Sequence, residues 1–328
     1  MDLRKLLRRT GIALGVLVLV LVATLGAFYV AALARERQSA EEAAPPGGRW
    51  VSGGDVRIFV QERGPANGSV VLLVHGTGAW SSMWEPTMTA LAAQGYRVVA
   101  LDVPPFGFSE RPADGSYDPP SQGRRIAAVM TALDVTNVTL VGHSFQARAT
   151  VEAAFDAPER VRRLVLVDAA LDVHASTEKE GWLLRGALAV RPLREAIVAT
   201  TLADPLATRA LLKSFLANDS AATPERVAML QRPLVVRGTT HAAGLWLREF
   251  LAPEAPSRSN DASSYASLPM PVSLIWGEKD TVTPLATKGA EVQRLLPNAT
   301  MAVVPRAGHI PQIEEPEAFN AALLSTLG

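Results

Sequence analysis

The residues best suited to chemistry lie in Gly142-His143-Ser144-Phe145-Gln146. This run follows the apolar stretch Val138-Thr139-Leu140-Val141 and precedes the alanine-rich stretch Ala147 to Ala154. A buried strand, a sharp turn with serine at its tip and then a helix would expose Ser144 as a nucleophile. A serine hydroxyl alone is a weak nucleophile. It needs a base within hydrogen-bond reach and a third group that fixes the tautomer of that base. The expected chemistry is acyl transfer through Ser144.

The chain has five histidines. His309 stands in Arg306-Ala307-Gly308-His309-Ile310-Pro311, after the last predicted strand, and is the expected base. His75 opens a glycine-rich loop and reads as a structural hydrogen-bonding residue. His143 flanks the nucleophile and should point away from it. His174 and His241 read as surface or packing residues. The acid should follow a strand between Ser144 and His309. Asp280, in Trp276-Gly277-Glu278-Lys279-Asp280, fits that position, with Asp168 as the alternative; Glu278 would project differently from the turn. Negative charge on a substrate carbonyl oxygen must meet fixed N–H donors. The backbone N–H groups of Phe145 and Thr77 are the candidates, the latter in His75-Gly76-Thr77-Gly78.

These groups need a scaffold. Val70 to Val74, Arg97 to Leu101, Val138 to Val141, Leu164 to Val167, Val272 to Trp276 and Met301 to Val304 are short, mostly unbroken apolar runs. A parallel sheet covered on both faces requires such runs; Val56 to Val60 instead alternates. Helical patterns over 85–94, 121–133, 144–154, 285–296 and 316–327 fall between strands. Alternating strand and helix predicts an α/β fold with a doubly wound, mostly parallel sheet. Active groups then sit just beyond the C-terminal strand ends. His75, Asp102, Ser144, Asp168 and Asp280 all fall there. From about Leu171 to Ser267 no strand pattern appears. Amphipathic pieces carrying Trp182, Phe215, Trp246 and Phe250 predict a helical insertion.

The N-terminus is a separate object. Gly11 to Ala34 is uncharged and almost wholly apolar. At about 1.5 Å per residue it is long enough to cross a hydrocarbon core of roughly 30 Å. Arg4, Lys5, Arg8 and Arg9 precede it, so the N-terminus is expected in the cytoplasm and the remainder outside. Ala32-Leu33-Ala34 resembles a cleavage site, and a secretory signal is the competing reading. The expected organisation is a basic segment at 1–10, a transmembrane helix at 11–34 and a linker at 35–49. The core occupies 50–170 and 268–328, interrupted by a helical cap at 171–267.

Formal net charge is zero, with 32 basic and 32 acidic residues, so no global field argues for nucleic acid. There is no cysteine, which removes disulfides, thiolate nucleophiles and thiolate metal sites. No metal-binding pattern or cofactor motif stands out, so neither metal nor cofactor is expected. Oligomeric state is not legible.

Together HGTG, LDVPPFGFSERP, GHSFQAR, IWGEKDTVTP and RAGHIPQIEEPEAFN resemble the α/β-hydrolase superfamily, in its cap-bearing serine branch. The resemblance runs from about Trp50 to the C-terminus. It implies Ser144 as nucleophile, Asp280 as acid, His309 as base, and Thr77 and Phe145 as oxyanion donors. It also implies a cap whose underside shapes the substrate pocket. One departure is Gln146, where the family elbow has glycine; the side chain must find room or alter the turn. The expected activity is hydrolysis of a small or medium apolar carboxylic ester. C–C bond hydrolysis of a vinylogous diketone, thioester hydrolysis and perhydrolysis would use the same residues. A binding protein built on an impaired hydrolase fold is the non-enzymatic alternative.

Overall fold

The computed structural model describes residues 3–171, 182–251 and 256–327. His174 and Pro253 to Ala255 lie outside the described residues. The strands are β1 (Gly48–Ser52), β2 (Arg57–Arg63), β3 (Val70–Val74), β4 (Arg97–Leu101), β5 (Val138–His143), β6 (Val161–Val167), β7 (Val272–Gly277) and β8 (Thr300–Val304). They form one sheet in the order β1-β2-β4-β3-β5-β6-β7-β8. β1 and β2 are antiparallel, β2 meets β4 antiparallel, and every other pair is parallel. The fold is therefore the expected α/β architecture with a mostly parallel sheet.

Side-chain alternation explains why the strands are apolar throughout. On β3, Leu72 and Val74 join one core with Leu140, Leu164, Leu166, Leu274 and Trp276. Val71 and Leu73 join the opposite core with Val141, Val165, Ile275 and Phe319. Both faces are covered, so both alternating sets must be apolar. β1 is the strand that sequence patterning missed. It begins inside the expected linker, and its Gly-Arg-Trp-Val-Ser carries charged and polar residues because it is an edge strand with a solvated face.

The helices are α1 (Leu3–Arg35), α2 (Ala40–Ala43), α3 (Glu85–Ala93), α4 (Pro119–Ala132), α5 (Ala147–Asp156), α6 (Trp182–Ala189), α7 (Arg191–Ala199), α8 (Pro205–Phe215), α9 (Pro224–Gln231), α10 (Thr239–Leu251), α11 (Ala290–Leu295), α12 (Pro311–Glu314) and α13 (Pro316–Leu327). Helices α6 to α10 interrupt the β-α rhythm between β6 and β7, and no named strand lies among the described residues there. α1 is long and apolar enough to cross a membrane.

The stretch expected to be a linker is tied down. Ser39 and Glu42 form a reciprocal capping box at the start of α2. Gln38 N–H donates to Val235 O at 3.1 Å, and Arg237 N–H donates to Gln38 O at 2.9 Å. The Glu36 carboxylate accepts from Thr240 N–H at 2.7 Å and Gly238 N–H at 3.0 Å, which caps α10. Such partners, far apart in sequence, leave no local periodicity to read.

Candidate active site

β5 ends at His143, and the chain turns directly into a 3₁₀ turn, Ser144–Gln146, that feeds α5. Ser144 has φ 57°. A non-glycine residue in this region costs about 1–3 kcal/mol and persists only where its surroundings over-determine it. Here they do. A Cβ on Gly76 would lie 2.6 Å from His143 Nδ1, and one on Gly142 would lie 2.3 Å from Thr150 Oγ1. Glycine at both positions lets the loop after β3 and the helix α5 close on the turn. Gln146 has φ −74° and ψ −4°, so glycine is not required there for backbone reasons. Its side chain is buried, and its Nε2 finds no acceptor. The elbow thus houses glutamine without leaving the turn geometry, at the expense of one unsatisfied amide.

Ser144 Oγ lies 2.7 Å from His309 Nε2. His309 Nδ1 lies 2.9 Å from Asp280 Oδ2. The carboxylate fixes the tautomer: Nδ1–H donates to Asp280 and the Nε2 lone pair faces the serine hydroxyl. All three side chains are buried. Asp280 is held by its own turn. Val282 N–H and Thr283 N–H donate to Oδ1 at 2.8 and 3.0 Å, and Thr283 Oγ1 donates to Oδ2 at 2.5 Å. Burial pushes the Asp280 carboxyl upward. The hydrogen bond and charge of His309, together with Thr283, outweigh it and hold the group below the usual carboxylate range. Thr283 was not picked out from sequence. Its signal is the Asp280-Thr281-Val282-Thr283 spacing, which lets a side chain answer a carboxylate one turn away.

Asp168, the alternative acid, ends β6 and is fully buried. Gly277 N–H donates to its Oδ1 at 2.8 Å. Its Oδ2 is sealed from solvent and meets no donor. Burial, then the charge of Asp280, raises its pKa well above the ordinary value. The shift of Asp168 is thus opposite in direction to that of Asp280. Asp168, Asp280 and His309 are the one group of three potential metal ligands found among the described residues. The His309 and Asp280 donor atoms are already engaged with each other.

Two further histidines brace the site. Val103 N–H donates to His75 Nε2 at 2.9 Å, so His75 carries its proton on Nδ1, which faces Gly76 O at 2.8 Å. Burial lowers its pKa to about 4. His75 thus clamps the Gly76–Gly78 loop to the segment after β4, as a structural residue should. His143 does not point away. Its ring packs 5.3 Å from that of His309, and its Nε2–H donates to His309 O at 2.8 Å. The left-handed turn at Ser144 redirects the chain, which leaves His143 free to brace the loop that carries His309.

Thr77, Ser144 and His309 line one cavity between core and cap. Phe145 N–H stands in the first turn after the strand, where an N–H has no intrahelical acceptor. The remaining wall is mainly apolar, from Trp80, Met83, Phe106, Leu202, Leu212, Phe215 and Leu234. Arg111 is the single Lys or Arg among the described lining residues. Its guanidinium donates to Ser109 O, Gly107 O and Thr239 Oγ1, and its Nε is buried without an acceptor. The cap is latched to the base loop. His309 N–H donates to Phe215 O at 2.9 Å. Glu314 accepts from Gly308 N–H at 2.9 Å and from Ala217 N–H at 2.7 Å. His241 sits in the cap against Glu195, as a packing residue rather than a base.

The sheet order, the serine on the turn after β5 and the histidine after β8 define a class: α/β hydrolases. The chain belongs to the alpha/beta hydrolase fold family, which it matches over residues 69–316. It is 29% identical to a 2-hydroxymuconate semialdehyde hydrolase of Pseudomonas putida, across 86% of this chain and 94% of that protein. A solved meta-cleavage product hydrolase from Pseudomonas fluorescens is 26% identical with a TM-score of 0.67, covering 85% of this chain and 97% of that one. A solved bacterial membrane phospholipase A is also 26% identical, with a TM-score of 0.64. That similarity covers 99% of this chain and 97% of that one, so it reaches into α1.

Proposed function

We propose that this hydrolase works through an acyl-enzyme on Ser144, with His309 as base and Asp280 as its orienting acid. The observation that carries the reading is the unbroken relay of 2.7 and 2.9 Å from Ser144 Oγ through His309 to Asp280. Ser144 Oγ attacks a substrate carbonyl carbon while His309 Nε2 takes the hydroxyl proton. Thr77 and Phe145 N–H groups receive the developing oxyanion. His309 then protonates the leaving group, and water activated by the same imidazole releases the acid.

For the bond cleaved, the relatives favour C–C hydrolysis over the ester expected from sequence. The leaving group would then be a carbon stabilised as an enol by a conjugated carbonyl. The Arg111 cation, in a cavity whose wall is mainly apolar, supplies a partner for the carboxylate of such a compound. A carboxylic ester remains the second reading. Its specific support is the phospholipase likeness, which extends through the N-terminal helix. In both readings α1 anchors the enzyme in a membrane, with the hydrolase domain on the side opposite the N-terminus.

A fluorophosphonate probe should label Ser144 in the wild type and not in Ser144→Ala. Paired assays with 2-hydroxymuconate semialdehyde and p-nitrophenyl butyrate decide the bond. At least tenfold higher kcat/KM for the first supports C–C hydrolysis, and the reverse supports the ester. A folded wild type that is never labelled and turns over neither compound would leave the binding-protein alternative.

A further inference from the structure

α1 does not stand apart from the globular part. Leu25, Phe28 and Tyr29 are half-buried and Ala32 is fully buried, at the i, i+3, i+4, i+7 spacing of one helix face. That face packs along α7. Tyr29 O–H donates to the buried Glu195 carboxylate at 2.7 Å, and the Arg35 guanidinium donates to Ala203 O. Tyr29 meets Glu195 on α7, and Arg35, further along α1, meets Ala203 in the turn after α7, so the two helices run in broadly the same direction. Counting one helical turn back from the Tyr29–Glu195 contact on both helices puts Leu25 about level with Arg191 at the start of α7.

Lengths then set a constraint. A hydrocarbon core of roughly 30 Å takes about 20 helical residues. Counted from Gly11, the first residue after the basic cluster and Thr10, an upright span ends near Val30. The start of α7, level with Leu25, is then on the order of 7 Å inside the hydrocarbon boundary at about 1.5 Å per residue. The corner joining α6 to α7 is built for that depth. Val190 is 52% and Leu193 39% exposed, and Leu184 on α6 is 43% exposed. The corner's one charge, Arg191, is paired through Nε with Glu195 at 2.8 Å, and its long side chain can reach the headgroups. An amphipathic segment at an interface buries its apolar face by a similar ~5–10 Å.

We infer that the α6–α7 corner, Ala189 to Leu193, is inserted beside α1 into the leaflet farther from the N-terminus. The occupant of this apolar face is the lipid of the bilayer. The inference rests on reading α1 as a membrane span. The consequence is functional: Leu202 and Ala203 line the catalytic cavity, and Ala203 is hydrogen-bonded to the anchor. The cavity wall therefore sits at the membrane surface, where amphiphilic substrates concentrate.

The chain has no cysteine, so single labels are clean. Full-length Val190→Cys, Leu193→Cys, Gly15→Cys and Asn298→Cys are labelled with bimane and reconstituted in phosphatidylethanolamine/phosphatidylglycerol vesicles carrying shallow nitroxide lipids. Quenching at 190 and 193 of at least half that at 15, with none at 298, is expected. Quenching at 15 but not at 190 or 193 overturns the inference and leaves the anchor standing. No quenching at 15 removes the anchor reading and the inference with it. Copper-phenanthroline crosslinking of two copies through 190 or 193, without lipid quenching there, would make the corner a self-association surface and also overturn it.

Discussion

Asp168 and Asp280 face each other behind His309, with carboxylate oxygens within 4.8 Å, and only Asp280 bonds the imidazole. Two buried carboxyls this close cannot both be charged without large cost, so their environments divide the roles. Asp280 collects four donors, from Val282, Thr283 and His309, and keeps its charge. Asp168 collects one, from Gly277, and its pKa is raised by burial and by the charge of Asp280.

This division predicts that Asp168→Asn, which places no charge beside Asp280 and keeps an acceptor for Gly277 N–H, retains kcat within about threefold. Asp168→Ala leaves Gly277 N–H without its acceptor and opens a small cavity, and should lower kcat on the order of tenfold. The acidic limb of the kcat–pH profile should move in Asp168→Ala and not in Asp168→Asn. A rate retained in Asp280→Asn but lost in Asp168→Asn would exchange the two roles.

Under the proposed mechanism the three form one relay, so Ser144→Ala, His309→Ala and Asp280→Asn should each lower turnover by about 10³-fold or more. The double variants should be no worse than the poorer single one. Steady-state kinetics on variants of wild-type circular dichroism check this; additive losses would mean that the groups act separately.

The N-terminal boundary of a stable soluble form is set by the packing of α1. A chain beginning at Leu25 keeps Tyr29, Arg35 and Glu36 on the cap. A chain beginning at Arg37 loses their bonds to Glu195, Ala203 and Thr240. The second should melt several degrees lower, since about 1 kcal/mol shifts a domain of this size by roughly 2–4 °C. Equal melting temperatures in a thermal scan would show that these contacts contribute little. Removal after residue 36 is thus expected to cost stability as well as the anchor.

Acid stability should depend on His143, whose pKa burial lowers to about 3 from an ordinary 6.5. The unfolded chain binds its proton first. The stability held above pH 6.5 is therefore lost progressively as pH falls toward 3. The loss is on the order of a few kcal/mol for this group. His143→Gln keeps a donor for His309 O and does not titrate. Its melting temperature should fall less steeply than the wild type between pH 6.5 and 4, and parallel slopes would contradict the assignment.

Sequence alone determined the strands of the parallel core, because burial on two faces demands unbroken apolar runs such as Val70 to Val74. It also singled out Ser144, Asp280 and His309, which the structure brings within hydrogen-bond reach of one another. Ser144 follows a strand, and Asp280 and His309 follow later strands in an order that one sheet topology can unite. Tertiary structure decided what depends on contacts between distant positions. It set β1 on an edge, turned His143 into a brace, recruited Thr283 and raised the pKa of Asp168 beside Asp280. It also bound residues 25–38 to the cap. None of these leaves a local period in the chain: His143 and Asp168 answer partners more than a hundred residues away, and even the short-range pairs, Thr283 with Asp280 and β1 with β2, depend on the burial and edge position that the assembled fold creates.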